Sequence, residues 1–225
     1  MADTADFQQR DDFGNFEANL KFLEDIQALQ PPRKLLEIGC GKGRLIKHLL
    51  ETDHDVRGCE VNQFMLDEGR RLFGPLPIDR VDGATLPYET ATFDTLMSFD
   101  VFEHIPDSDA HLVEVRRVLK PGGRYLLQTP NKWTNTVFET IRWRSLTAWR
   151  QEHCSLHSAR EIRTRFSKHG FETRLHDVPV VTDFFRWKIR HHLGRPGSLL
   201  IRLVNPDRLP LPLRTNFYIE ATKTP

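Results

Sequence analysis

A chain of 225 residues is long enough for one α/β domain with a full core, and its composition is that of an ordinary globular protein. A formal net charge of +1 favours no class of partner, and three scattered cysteines, Cys40, Cys59 and Cys154, exclude a disulfide framework and a Cys-x-x-Cys zinc pair. No run of about 18 apolar residues is present to cross a membrane. The polar, acidic start has no apolar signal segment, so the expected location is the cytoplasm, with contact to a membrane from that side.

Charge is unevenly spread along the chain. Asp3, Asp6, Asp11, Asp12, Glu17, Glu24 and Asp25 dominate the start, whereas Arg142, Arg144, Arg150, Arg160, Arg163, Arg165 and Lys168 crowd the later part. That later stretch suits an anionic partner or a solvated basic face. Residues 1–14 are polar. From Asn15 to Leu29 the positions Phe16, Leu20, Phe22, Leu23, Ile26 and Leu29 recur at helical spacing, and Pro31-Pro32 ends the helix. Leu35, Leu36 and Ile38 form a short buried strand that enters a glycine turn, and Arg44–Leu50 follows as a helix. Asp55–Val61 reads as a second strand, Asn62–Phe73 as a helix, Leu76–Val81 as a third strand and Phe93–Phe99 as a fourth. Asp109–Leu119 is a helix stopped by Lys120-Pro121-Gly122-Gly123, and Arg124–Gln128 is the fifth strand. Strands alternating with helices predict a parallel sheet with right-handed crossovers. Beyond it, Thr134–Arg150 and Ser158–His169 have helical spacing, and Phe171–Val178 and Asn216–Thr222 read as strands. Residues 183–212 fit neither period: Phe185, Trp187 and Ile189 alternate, and Leu199–Val204 suits helix or strand equally.

The glycine turn carries the chemistry. Gly39, Gly41 and Gly43 stand at every second position, with Glu37 two residues ahead of the first. Lacking Cβ atoms, such a loop lets a ligand lie against the backbone, while the following helix offers free N–H groups. The dinucleotide spacing Gly-x-Gly-x-x-Gly is different. Glu-x-Gly-x-Gly-x-Gly at the end of an apolar strand resembles the first motif of the class I S-adenosylmethionine-dependent methyltransferases. The resemblance implies that the acid ending the second strand, Glu60, accepts the ribose hydroxyls beside Val61. It also implies that Asp82-Gly83-Ala84 meets the adenine. Leu86-Pro87-Tyr88, Phe93-Asp94 and Leu119-Lys120-Pro121-Gly122-Gly123 extend the match over residues 33–131. The implied cofactor contacts are Glu37, Gly39, Cys40, Gly41, Gly43, Glu60, Val61, Asp82, Gly83, Ala84 and Phe99.

Ser98–Asp107 and Thr129-Pro130-Asn131 are similar to segments of the ubiquinone-pathway O-methyltransferases and the type 11 small-molecule group. On one helical turn, Asp100, Glu103 and His104 would share a face and could hold Mg²⁺; the plainer alternative is that Glu103-His104 caps the loop structurally. An oxygen nucleophile gains from losing its proton, and His104, His153 and His157 are the candidate bases. His153-x-x-x-His157 with Cys154 lacks the second pair a zinc site needs. Lys132–Arg150 mixes Trp133, Trp143 and Trp149 with arginines, which suits an anionic membrane interface or a lid helix. No RNA-binding motif accompanies it, so nucleic acid is not the expected partner.

The expected architecture is an α/β, Rossmann-like methyltransferase fold, a mostly parallel seven-stranded sheet with an antiparallel last strand. It is one domain over 1–225: a leading helix or lid in 1–32, a cofactor core in 33–131, an acceptor and lid region in 132–212 and a last strand in 213–225. The expected activity is methyl transfer from S-adenosylmethionine to a small or lipid-linked acceptor, at oxygen. N- or C-methylation of a natural product or sugar, RNA 2′-O-methylation, and an inactive cofactor-binding module stand as alternatives.

Overall fold

The computed structural model describes residues 15–30, 33–83, 85–151 and 153–225. Seven strands, β1 (Lys34–Ile38), β2 (Asp55–Glu60), β3 (Ile78–Arg80), β4 (Phe93–Phe99), β5 (Leu119–Pro130), β6 (Phe171–His176) and β7 (Asn216–Lys223), form one sheet in the order β3-β2-β1-β4-β5-β7-β6. The first five are parallel, and β7 runs antiparallel between β5 and β6. Strand order reverses between β1 and β4, and in open α/β sheets the crevice beyond the carboxyl ends of such strands is where ligands bind.

Strand alternation sorts the apolar side chains into two cores. Leu35, Met97, Leu126 and Tyr218 join α1 (Phe16–Asp25) and α2 (Arg44–Glu51) through Phe22, Leu45, Ile46 and Leu49. Leu36, Leu96, Leu127, Phe217 and Ile219 face α4 (Ser108–Val118) and α6 (Ala159–Lys168) through Leu112, Val115, Ile162 and Phe166. The α3 helix (Gln63–Phe73) lies between β2 and β3 in the chain. The leading helix, expected as a lid, is bound into the core: Phe22 meets Tyr218 edge-on at 5.2 Å, and the Tyr218 hydroxyl donates to Asn19 Oδ1 at 2.9 Å. It ends at Asp25 rather than Leu29, because Gln27 turns to φ 49° and Ala28 N–H reaches back to Leu23.

Other boundaries also differ from the sequence expectation. β5 begins at Leu119, five residues before Arg124, since Leu119 is already extended; a register shift between Phe93 and Thr95 absorbs the irregularity opposite Gly122-Gly123. The helix expected over 134–150 is α5 (Lys132–Trp143). Arg144 adopts the left-handed conformation (φ 49°) and closes it, and Ala148–Gln151 is a separate 3₁₀ turn. Leu146 and Trp149 therefore lie off that helix. Residues 183–203 are helical, as α7 (Asp183–Leu203), capped by Thr182, whose Oγ1 accepts from Phe185 N–H. The alternation of Phe185, Trp187 and Ile189 is thus not a strand. A kink at Gly194 (φ 62°, ψ −153°) precedes Pro196 and divides this helix in two.

Candidate active site

Gly39, at φ 68°, follows β1 and donates its N–H to the Cys59 carbonyl at 2.8 Å. A Cβ there would fall 2.5 Å from Val101 Cγ2, so the loop is pressed against the chain leaving β4. Gly41, at φ 54°, is the opposite case: among the described residues nothing lies within 4 Å of the place a Cβ would take. Its left-handed backbone borders open space, as a surface on which a ligand rests requires. Gly43 caps α2 in the same left-handed region.

Glu60 ties this loop to the end of β2. Its Oε2 accepts from Gly41 N–H at 2.8 Å, and Oε1 accepts from Val61 and Asn62 N–H, each at 2.9 Å. Three backbone donors fix the carboxylate, and a carboxylate with about four acceptor positions keeps room for a further hydroxyl. Glu37 is buried beside it, and its Oε2 has no partner among the described residues. Burial first, and the Glu60 charge second, push the Glu37 carboxyl up to about 8. Cys40 is a buried thiol packed against Gly58, and burial pushes its pKa up. Val61 is exposed at the end of β2, and a Cβ on Gly83 would touch its Cγ1 at 3.4 Å, so the loops after β2 and β3 face one another. Asp82 precedes that contact, and Ala84 lies outside the described residues. Phe99, half-buried at the end of β4, packs on the α1–α2 core.

The exit of β4 builds a second group. Asp100, at φ 55°, donates its N–H to Gln128, and Val101 (φ −126°) is not helical either. The 3₁₀ turn starts only at Phe102, which is fully buried, so Asp100 does not share a helical face with Glu103 and His104. Glu103 is 2% exposed and accepts from Thr129 Oγ1 at 3.0 Å. Burial, then the neighbouring Asp100 charge, push it up to about 8. Ser155 N–H donates to the Glu103 carbonyl at 2.9 Å, which draws the 153–155 segment over the turn.

His153 lies with its ring 5.0 Å from that of exposed His104, and its Nδ1 is 2.9 Å from Asn135 Nδ2 on α5. Burial, and then His104, lower His153 to about 4, so its imidazole is neutral at physiological pH. Donor atoms of Glu103, His104 and His153 lie within 4.8 Å of one another, and Asp100 is outside that group. The grouping expected from spacing is therefore replaced by one that the fold assembles from two segments. His157 stands apart, buried with its ring 5.5 Å from that of Phe102.

Two further residues lie near this group without any sequence signal. Lys188 of α7 holds its ammonium 5.2 Å from the Phe138 ring; burial raises the Asp100 carboxyl as it does that of Glu103, and the Lys188 charge opposes the rise at both. Glu139 of α5 is 1% exposed and accepts from Trp143 Nε1 at 3.0 Å and Arg142 at 3.1 Å. The inward face of α5 is thus polar, while Trp133, Val137 and Ile141, four residues apart, face outward.

A glycine loop thus stands at the switch point, tied to a strand-end carboxylate, and its Gly39 abuts the chain that leads from β4 into the carboxyl–imidazole group. Residues 9–176 match the family described as a methyltransferase domain, and the chain belongs to it. It is similar to demethylmenaquinone methyltransferase of Streptomyces griseus, 30% identical over half of this chain and 49% of that one. It is also similar to phthiotriol/phenolphthiotriol dimycocerosates methyltransferase 1 of Mycobacterium ulcerans, 32% identical over 67% of this chain and 55% of that one. The chain spans only 35 to 49% of the length of the first curated relatives it matches. The crystal structure of an S-adenosylmethionine-dependent methyltransferase from Mesorhizobium loti superposes with a TM-score of 0.61 at 17% identity, over 89% of this chain and 96% of that one, and shares the fold.

Proposed function

We propose that this chain uses S-adenosylmethionine to methylate a small or lipid-linked acceptor at oxygen. The observation that carries the reading is the open backbone at Gly41, bonded to Glu60 and set at the switch point of the sheet. The residues fit the cofactor: Gly41 leaves a cradle, Glu60 keeps acceptor capacity for a hydroxyl, and Glu37 has an orphaned oxygen for a donor. When bound, the cofactor supplies a methyl carbon activated by a sulfonium centre, so alignment of the acceptor provides most of the acceleration.

The chain's own part is then to hold the acceptor and receive its proton. Glu103, His104 and His153 stand at the β4 exit for that purpose. His153 is kept neutral and oriented by Asn135, and Glu103, raised to about 8, becomes a usable base as the pH climbs. His157 is offered as a support of Phe102 rather than as the base. Relatives named for a quinone and for a dimycocerosate lipid support an acceptor of that chemistry, and the outward Trp133, Val137 and Ile141 of 132–150 support peripheral contact with an anionic membrane. Titration calorimetry with S-adenosylhomocysteine, followed by turnover on phenols, amines and sugars with product analysis, tests it. Absence of cofactor binding sinks the reading, and a methylated amine or carbon with no methyl ether sinks the oxygen assignment.

A second reading rests on the same group. One carboxylate and two imidazoles within 4.8 Å suit a transition ion better than Mg²⁺, which prefers oxygen ligands. A divalent ion held there would make turnover sensitive to EDTA and restorable by Mn²⁺. Full turnover in EDTA leaves the group to proton transfer alone.

A further inference from the structure

The second half of α7 is apolar on two faces, and only one of them is used by the fold. Gly194 breaks the helix, and from Arg195 onward each residue advances by about 100° around the axis. Gly197 and Ile201 fall on one side and are buried. Leu199, Leu200 and Leu203 fall on another and are exposed, Leu200 by 59% and Leu203 by 74%. Arg195 and Arg202 are exposed along the edge of that second stripe. A helix with an internal apolar face and an external one expects a second apolar medium.

Charge says which medium. No acidic residue lies between Asp183 and Asp207, whereas Arg186, Lys188, Arg190, Arg195 and Arg202 do. Asp207 itself is spent on the backbone, accepting from Val180 and Val181 N–H at 2.8 and 3.1 Å. A second copy docked symmetrically on this stripe would bring Arg195 and Arg202 against their own equivalents, with no carboxylate in the segment to neutralise them. An anionic lipid surface meets both demands: aliphatic side chains enter the headgroup boundary while arginines bury their stems and keep their charges at the phosphates. The helix is not long and apolar enough to cross a membrane, so it would lie on one.

We infer that residues 195–204 form a membrane-docking surface, with Leu199, Leu200 and Leu203 in the lipid boundary and Arg195 and Arg202 on anionic headgroups. This surface is separate in sequence from the 132–150 segment and does not depend on which acceptor is methylated. The proximal half of the same helix places Lys188 and His192 on Phe138 of α5. Docking of the distal half therefore brings the acceptor cleft near the lipid from which an apolar acceptor would come.

The test uses the full chain with vesicles of phosphatidylcholine, with and without phosphatidylglycerol. Binding is expected only with phosphatidylglycerol. Arg195→Gln with Arg202→Gln should weaken it by about 30-fold, two basic contacts at an anionic surface. Leu200→Ser with Leu203→Ser should weaken it by roughly tenfold, both pairs leaving S-adenosylhomocysteine affinity unchanged. For a readout that does not depend on the variants' stability, Cys154, the exposed thiol, is changed to Ser and an environment-sensitive dye is placed at Leu203→Cys. A blue shift of the dye on anionic vesicles supports insertion. A dye that stays in water while the protein binds overturns the inference, as does equal binding to neutral vesicles. A dimer in light scattering that the leucine pair dissolves would assign the stripe to a second copy instead.

Discussion

Glu60 ties the glycine loop to the end of β2 through three backbone donors. Its carboxylate joins Gly41 to the start of the β2–α3 turn, so on the proposed function removing it would cost both a contact to the cofactor and the position of the loop. Glu60→Ala is expected to weaken S-adenosylhomocysteine binding by about 1.5–3 kcal/mol, the worth of hydrogen bonds to a charged group. Gly41→Val should abolish binding, because the side chain would fill the open space and strain a left-handed backbone. Equal affinity in the wild type and both variants, by calorimetry, would remove these residues from the site. Glu37 makes a prediction about pH. Its folded-state pKa is about 8 against an ordinary 4.5, so the folded chain holds a proton that the unfolded chain releases. Its contribution is fully present below pH 4.5 and is lost as pH rises to 8. Denaturant melts across that window should show stability falling with pH in the wild type, and falling less steeply in Glu37→Gln. Identical slopes would mean that the carboxyl is ionised in the folded protein.

At the scale of elements, what was legible in the sequence followed from demands that are local. Glycines at 39, 41 and 43 answer backbone conformations set within the loop itself, all three at positive φ. Phe93–Phe99 has the bounds of β4 because every demand on it, length and apolarity, is written in its own residues. The group around Glu103 was less legible because its pieces meet only in space. His153 and His104 are far apart in sequence, Asn135 arrives from α5, and Lys188 arrives from a helix whose period is broken at Gly194. Asp100, Glu103 and His104 illustrate the reverse error: their spacing suits a helical turn, but the positive φ at Asp100 prevents one. Gly194 itself is testable. Its φ of 62° with ψ of −153° belongs to a region essentially reserved for glycine. Gly194→Ala should cost about 1–3 kcal/mol in a denaturant melt. No loss would mean that the helix straightens, and that the kink is not required by the packing on either side.

For the whole molecule, the last strand to be made is not the last in the sheet. β7 inserts between β5 and β6, and it joins residues very distant in sequence: Tyr218 to Asn19 and Glu220 to Arg124. Its side chains also divide between the two cores, with Phe217 and Ile219 on the α4–α6 side and Tyr218 on the α1–α2 side. Until β7 is in place, β5 has one open edge, β6 has no partner, and neither core is closed. Two consequences separate this from an ordinary edge strand. Phe217→Ala, removing a ring that is 2% exposed, should destabilise by about 3–5 kcal/mol, where the same change on an edge strand facing water would cost little. A chain ended at Thr215 should lack a cooperative thermal transition and should not bind S-adenosylhomocysteine, although the glycine loop and Glu60 are all retained. Near-ultraviolet circular dichroism and calorimetry on that truncation decide the matter. A folded, cofactor-binding truncation would mean that the five parallel strands and their helices form a stable unit alone, and that β7 serves the acceptor region only.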